Sequence, residues 1–170
     1  MTGREVAAAL ALVIVAVVLQ GALFGEGRIQ PFGASPNLVV VVVIATVRYL
    51  EPEPAMLVGF TAGLLADLLG GSALGLWAMT LTVIAYLTLR VRDRADDGPL
   101  VIAIGLFLLT FVAQALFGFA GTLFGQRILV NLDVTHLMLL PALYTMVLGA
   151  LMLPLTTLAM RGRRSRGWAV

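Results

Sequence analysis

Long apolar runs, separated by short charged segments, are the feature that most limits what this chain can fold into. A helix needs about 20 apolar residues to cross the hydrocarbon core of a bilayer, so each run predicts a transmembrane helix. Of the 170 residues, 61% are hydrophobic and only 12% are charged, about half the charged share of an ordinary soluble domain. We therefore expect one membrane domain with short loops.

The apolar runs lack the alternation that is typical of outer-membrane barrel strands. Helices are expected instead, because they satisfy their own backbone hydrogen bonds in lipid. A signal peptide is the competing interpretation of the first run, but this run is longer than a usual signal-peptide core and no clear cleavage site follows it. The sequence predicts an all-α integral membrane protein, a single transmembrane domain over residues 1–170, with six spans at about 6–24, 37–50, 55–69, 72–89, 99–124 and 135–160.

Local signals predict where several of these helices begin and end. Ser35 is expected to cap the second span with Pro36 in its first turn, and Pro54 is expected to open the third. Gly70-Gly71 is expected to stop the third span, and Ser72 to cap the fourth.

The arginine distribution predicts the orientation, because basic residues are retained on the cytoplasmic side. With six spans, nine of the 11 basic residues fall on one side and only Arg28 and Arg127 on the other. Both termini are therefore expected in the cytoplasm. Candidate basic residues for anionic lipids or an acidic partner are Arg90, Arg92, Arg94, Arg161, Arg163, Arg164 and Arg166.

A row of small residues marks one face of the third span. Ala55, Gly59, Gly63, Asp67 and Gly71 are four residues apart and share this face. Small residues allow the close van der Waals contact by which helices associate in lipid, so we expect this face to meet a neighbouring helix. The glycine-rich segment continues through Gly70 and Gly75, for which we also expect a structural role.

Asp67 is the only acidic residue inside an apolar run, and it needs a compensating partner because inserting a charge at a helix centre costs about 2.5 to 3.5 kcal/mol. It could be a proton or cation site, or a polar brace on the nearby free N–H groups at the start of the fourth span. The brace is favoured, since a translocating carboxylate would be expected beside further intramembrane charges. Gln114 is likewise interpreted as a brace between helices.

The sequence offers little for catalysis or for a bound cofactor. His136 is the only histidine, and a lone histidine near Asp133 is not a zinc site, which ordinarily has at least three protein ligands. The chain has no cysteine, and no serine is singled out as the partner of a catalytic triad. Nucleic acid is an implausible partner because no soluble domain accompanies the basic clusters. We expect neither an enzyme nor a cofactor.

One part of the chain, about residues 35 to 90, contains a distinctive set of segments: Ser35 to Asn37, Gly59-Phe60, Gly63 to Gly71, Leu74 to Leu76 and Ala85 to Leu87. These segments carry a resemblance to the bacterial rod shape-determining MreD family. It implies a bundle similar to the substrate-binding subunits of energy-coupling-factor transporters. It also implies a bacterial inner-membrane scaffold of the elongation complex.

The resemblance further implies partners for this scaffold: the bitopic protein MreC, the RodA-type polymerase with its transpeptidase for peptidoglycan synthesis, and MreB filaments. The sequence leaves self-association open. The alternative function is a small-molecule-binding subunit of a transporter, which would need a pocket with convergent polar groups on the outer side. The outer loops offer few such groups, and this favours the scaffold.

Overall fold

The computed structural model describes residues 3–24, 36–71, 73–92, 99–125 and 141–149, which form helices joined by turns. The helices are α1 (Gly3–Phe24), α2 (Leu38–Val47), α3 (Pro52–Gly70), α4 (Leu76–Val91) and α5 (Pro99–Leu123), followed by α6 at residues 141–149. No strand occurs within the described ranges, and the predicted all-helical class is confirmed for them.

Three of the described helices are long and apolar enough to cross a membrane: Glu5–Phe24 in α1, Pro52–Gly70 in α3 and Val101–Leu123 in α5. The apolar helices α2 and α4 are shorter. With 10 residues, α2 rises only about 15 Å, which is half of a typical hydrocarbon core.

The short helix α2 lies at the centre of the bundle. It contacts α1, α3, α4 and α5, and all of its residues are buried. Because all of its residues are buried inside the bundle, such a helix need not match the thickness of the hydrocarbon. Thr46 on this helix donates a hydrogen bond from its hydroxyl to the Val42 carbonyl at 2.7 Å, which satisfies a polar group in the core.

The starts of α2 and α3 differ from those expected. Pro36 precedes α2, whose cap is Asn37, because the Asn37 side chain accepts a hydrogen bond from the N–H of Val40 at 3.2 Å. The expected cap, Ser35, lies outside the described residues. α3 begins at Pro52 rather than at Pro54, because the N–H groups of a first turn have no helical partner and prolines are therefore tolerated throughout it.

Candidate functional site at the junction of α3 and α4

Asp67 lies near the end of α3 and is 2% exposed. Its carboxylate accepts hydrogen bonds from the backbone N–H groups of Gly75 at 2.9 Å, Trp77 at 3.1 Å and Ala78 at 3.2 Å. These groups belong to the start of α4, where N–H groups lack partners within the helix and the helix dipole favours a negative charge. The buried carboxylate therefore joins the end of α3 to the start of α4.

The cap position of α4 belongs to Gly75, so the expected cap at Ser72 is wrong. Because glycine has no side chain, Gly75 cannot itself cap the first turn of α4, which begins at Leu76. The Asp67 carboxylate caps α4 instead. Asp67 lies 8 to 11 residues before the residues whose N–H groups it accepts. Local sequence signals fail here because the capping oxygen comes from another helix.

Gly59 and Gly63 bring the backbone of α3 directly against α4, and both are buried. A Cβ atom at Gly59 would lie 2.7 Å from the carbonyl oxygen of Leu81. A Cβ atom at Gly63 would approach the backbone of Trp77 and Ala78 more closely still. Real Cβ atoms essentially never come this near to other heavy atoms, so any larger residue would push the two helices apart.

The other residues of the glycine-rich segment divide between this packing face and the turn. Ala55, at the start of the row, is fully buried. Gly71 does not belong to the face: it is exposed and follows the end of α3 with a φ of 67°, a left-handed conformation that glycine adopts readily. Gly75 has a φ of 99°. A Cβ atom at Gly70, the last residue of α3, would meet nothing within 4 Å.

A second polar junction, which the sequence analysis does not single out, lies at the start of α2. Gln20 of α1 donates to the Pro36 carbonyl at 2.9 Å and accepts from the N–H of Leu38 at 2.7 Å. The N–H of Asn37 donates to the hydroxyl of Thr145 in α6 at 3.0 Å. Gln20 is the only strongly polar residue in the first apolar run, and this is the signal that could have identified it.

A cavity of about 650 Å³ lies beside this junction, and its lining includes Gln20, Asn37 and Trp77. The indole of Trp77 stacks on the ring of Phe117 in α5 with 4.4 Å between ring centroids. The cavity volume falls within the range of about 300 to 1,000 Å³ that is usual for small-molecule sites.

Three arginines of the described residues lie at the opposite end of α2. Arg92 donates to the Leu50 carbonyl at 3.2 Å, so the α2–α3 turn and the end of α4 lie together. Arg90 donates to the hydroxyl of Tyr86 at 2.7 and 3.0 Å, and Arg48 lies in the α2–α3 turn. The other predicted basic residues, Arg94, Arg161, Arg163, Arg164 and Arg166, lie outside the described ranges.

The remaining candidates add no further site to the described part of the chain. Gln114 is half-buried in α5, whereas Asp133 and His136 lie outside the described residues. Within the described ranges, no group of three or more His, Cys, Asp or Glu side chains could hold a metal ion. The side chains of Asp67, Gln20 and Asn37 bond instead to backbone groups at helix starts.

The family model described as rod shape-determining protein MreD matches residues 5–161. This match spans the α3–α4 junction, the junction at Gln20 and the described arginines. Neither a curated protein nor a solved structure matches the chain.

Proposed function

Because the chain belongs to the rod shape-determining MreD family, we propose that it is a non-catalytic scaffold of the elongation complex in the bacterial inner membrane. The family membership implies a role in rod-shape determination. In this proposal the chain binds MreC and couples the peptidoglycan synthesis machinery to cytoplasmic MreB filaments. The RodA-type polymerase and its transpeptidase are further proposed partners.

The hydrogen bonds of Asp67 are the observation that carries this proposal. A buried carboxylate in a membrane helix is costly and is by default a candidate functional site. Here three backbone N–H groups of the α4 start donate to it. These donors are main-chain groups of one helix start, so the bonds hold the end of α3 against α4. A fixed acceptor therefore suits a rigid scaffold better than a proton carrier.

The proposed architecture has six spans, both termini in the cytoplasm and a bundle similar to the substrate-binding subunits of energy-coupling-factor transporters. The hydrogen bond from Arg92 to the Leu50 carbonyl supports a common side for the second and fourth loops, because it joins these two ends. Arginine retention on the cytoplasmic side would then orient this end inward.

A transporter subunit that binds a small molecule is the second candidate, and the cavity of about 650 Å³ beside Gln20 is the observation that favours it. However, both ends of the Gln20 amide already bond to backbone groups. The side-chain oxygen of Asn37 likewise accepts from Val40. These polar groups stabilise the start of α2, which favours the scaffold.

Purification of the tagged full-length chain from its native membrane tests the scaffold directly. We expect MreC to co-purify, and we expect depletion of the chain to turn rod-shaped cells into spheres. An equally tagged, unrelated multi-pass protein from the same membrane serves as the control. Normal rods after deletion, together with a vitamin requirement, would contradict the scaffold and support the transporter subunit.

A further inference from the structure

We propose that an anionic phospholipid binds in a groove between α2, α4 and α5, at the end of the bundle that carries the arginines. The groove has a volume of about 200 Å³. One wall runs from Val101 to Leu109 on α5. The opposite side contains Ile44 and Arg48 from the α2 end, and Thr88 and Arg92 from the α4 end.

The charge at the groove favours an anion. Arg48 and Arg92 are the charged residues among its described lining, and they cap the C-terminal ends of α2 and α4. A guanidinium presents a fork of donors that matches the geometry of a phosphate group. The carboxylates of Glu51 and Glu53, near the start of α3, are not among the described lining residues. Among the described lining residues, a phosphate at the mouth would therefore meet the guanidinium of Arg48, while Arg92 also donates to the Leu50 carbonyl.

The shape of the groove suits an acyl chain below that phosphate. The wall from Val101 to Leu109 extends about 12 Å along α5. Ile104 and Leu108 on this wall are about half exposed, so an apolar surface is open to a lipid tail. Gly105 widens the groove, since a Cβ atom there would meet nothing within 4 Å.

The surroundings of the groove favour a lipid as its occupant. The arginines are also expected at the cytoplasmic surface, where anionic lipids attract basic residues. This inference does not depend on the proposed scaffold function, because the isolated chain suffices to test it.

Native mass spectrometry of the purified, delipidated full-length chain tests the proposal, with phosphatidylglycerol and phosphatidylcholine as probes. Wild type should retain phosphatidylglycerol preferentially. Arg48→Gln should weaken phosphatidylglycerol binding about fivefold, because one cationic contact is lost. The matched control is Arg90→Gln, which removes the same charge at the same end but outside the described lining, and it should change binding much less.

Gly105→Leu provides a test that is independent of charge. The leucine side chain should fill the groove and abolish retention of both lipids. Gly21→Leu is the matched control, since a Cβ atom at that helical glycine also meets nothing within 4 Å. Circular dichroism and monodispersity establish that each compared variant is folded.

Two results would overturn the lipid site. One is equal loss of phosphatidylglycerol from Arg48→Gln and Arg90→Gln. The other is unchanged lipid retention in a folded Gly105→Leu variant. If the latter variant instead loses a co-purifying membrane protein, the groove binds a protein helix and the lipid proposal is wrong.

Discussion

Both carboxylate oxygens of Asp67 lie 3.1 Å from the backbone nitrogen of Trp77, ten residues later in the chain. The Oδ2 atom also accepts hydrogen bonds from the N–H groups of Gly75 and Ala78. One oxygen atom thus meets three donors at the start of α4. We therefore expect the effect of a substitution at Asp67 to depend on whether the new side chain can still accept these hydrogen bonds.

Asp67→Asn should retain most function, whereas Asp67→Leu should fail. The amide keeps one acceptor oxygen for the α4 N–H groups but loses the charge, so we expect a loss of about 1 kcal/mol in the free energy of unfolding. Leucine leaves these three N–H groups without their carboxylate partner, at a cost of about 3 kcal/mol or more. Unfolding titrations in detergent and rescue of rod shape in depleted cells measure both effects. An inactive Asp67→Asn protein that inserts, accumulates and binds its partner normally would show that the brace interpretation is wrong.

Gly63→Ala should destabilise the protein and Gly70→Ala should not, although both glycines belong to α3. The methyl group at Gly63 would collide with the backbone of α4, and overpacking of this kind typically costs about 1 to 3 kcal/mol. At Gly70 the methyl group meets nothing within 4 Å, and the better helix propensity of alanine should leave stability unchanged or slightly higher. Thermal unfolding in detergent compares the pair. Equal stability of the two variants would contradict the close approach of α3 and α4.

Gln20→Met should destabilise the bundle by about 1 to 3 kcal/mol, because it leaves the Pro36 carbonyl and the Leu38 N–H without their side-chain partner. Leu23→Met, at an exposed position of the same helix, is the matched control and should change stability by less than about 0.5 kcal/mol. The measurement is the same unfolding titration. A Gln20→Met protein as stable as this control would mean that Gln20 does not hold the start of α2.

Single cysteines should report the orientation cleanly, because the chain has none of its own. A cysteine at Glu51, which is exposed beside the arginine end, should react with a membrane-impermeant thiol reagent only after the cytoplasmic face is opened. A cysteine at Phe124, exposed just beyond α5, should react from outside. Cysteines at Asp96 and Ser165 should label from the same side as Glu51.

Labelling of the Asp96 and Ser165 cysteines from opposite sides would rule out six spans. Labelling of the Glu51 cysteine from outside in intact cells would instead show that the orientation is opposite to the one proposed.

The sequence by itself determined the helical class, the presence of membrane-length apolar helices and the family, because hydropathy and motif spacing are properties of contiguous residues. It also singled out Asp67, since one carboxylate in an apolar run is visible without a structure. The cap of α2 at Asn37 and the start of α4 at Leu76 were missed. In the second case the cap is a side chain from another helix, and no local pattern carries that information.

Only the tertiary structure decided which groups meet. Asn37 and Thr145 are 108 residues apart, and nothing in either local sequence indicates the other. The complete burial of α2 and the groove beside Gly105 likewise result from how several helices pack. A helix can be predicted from its own residues because its backbone bonds are local, whereas caps, cavities and grooves are made by residues that only folding brings together.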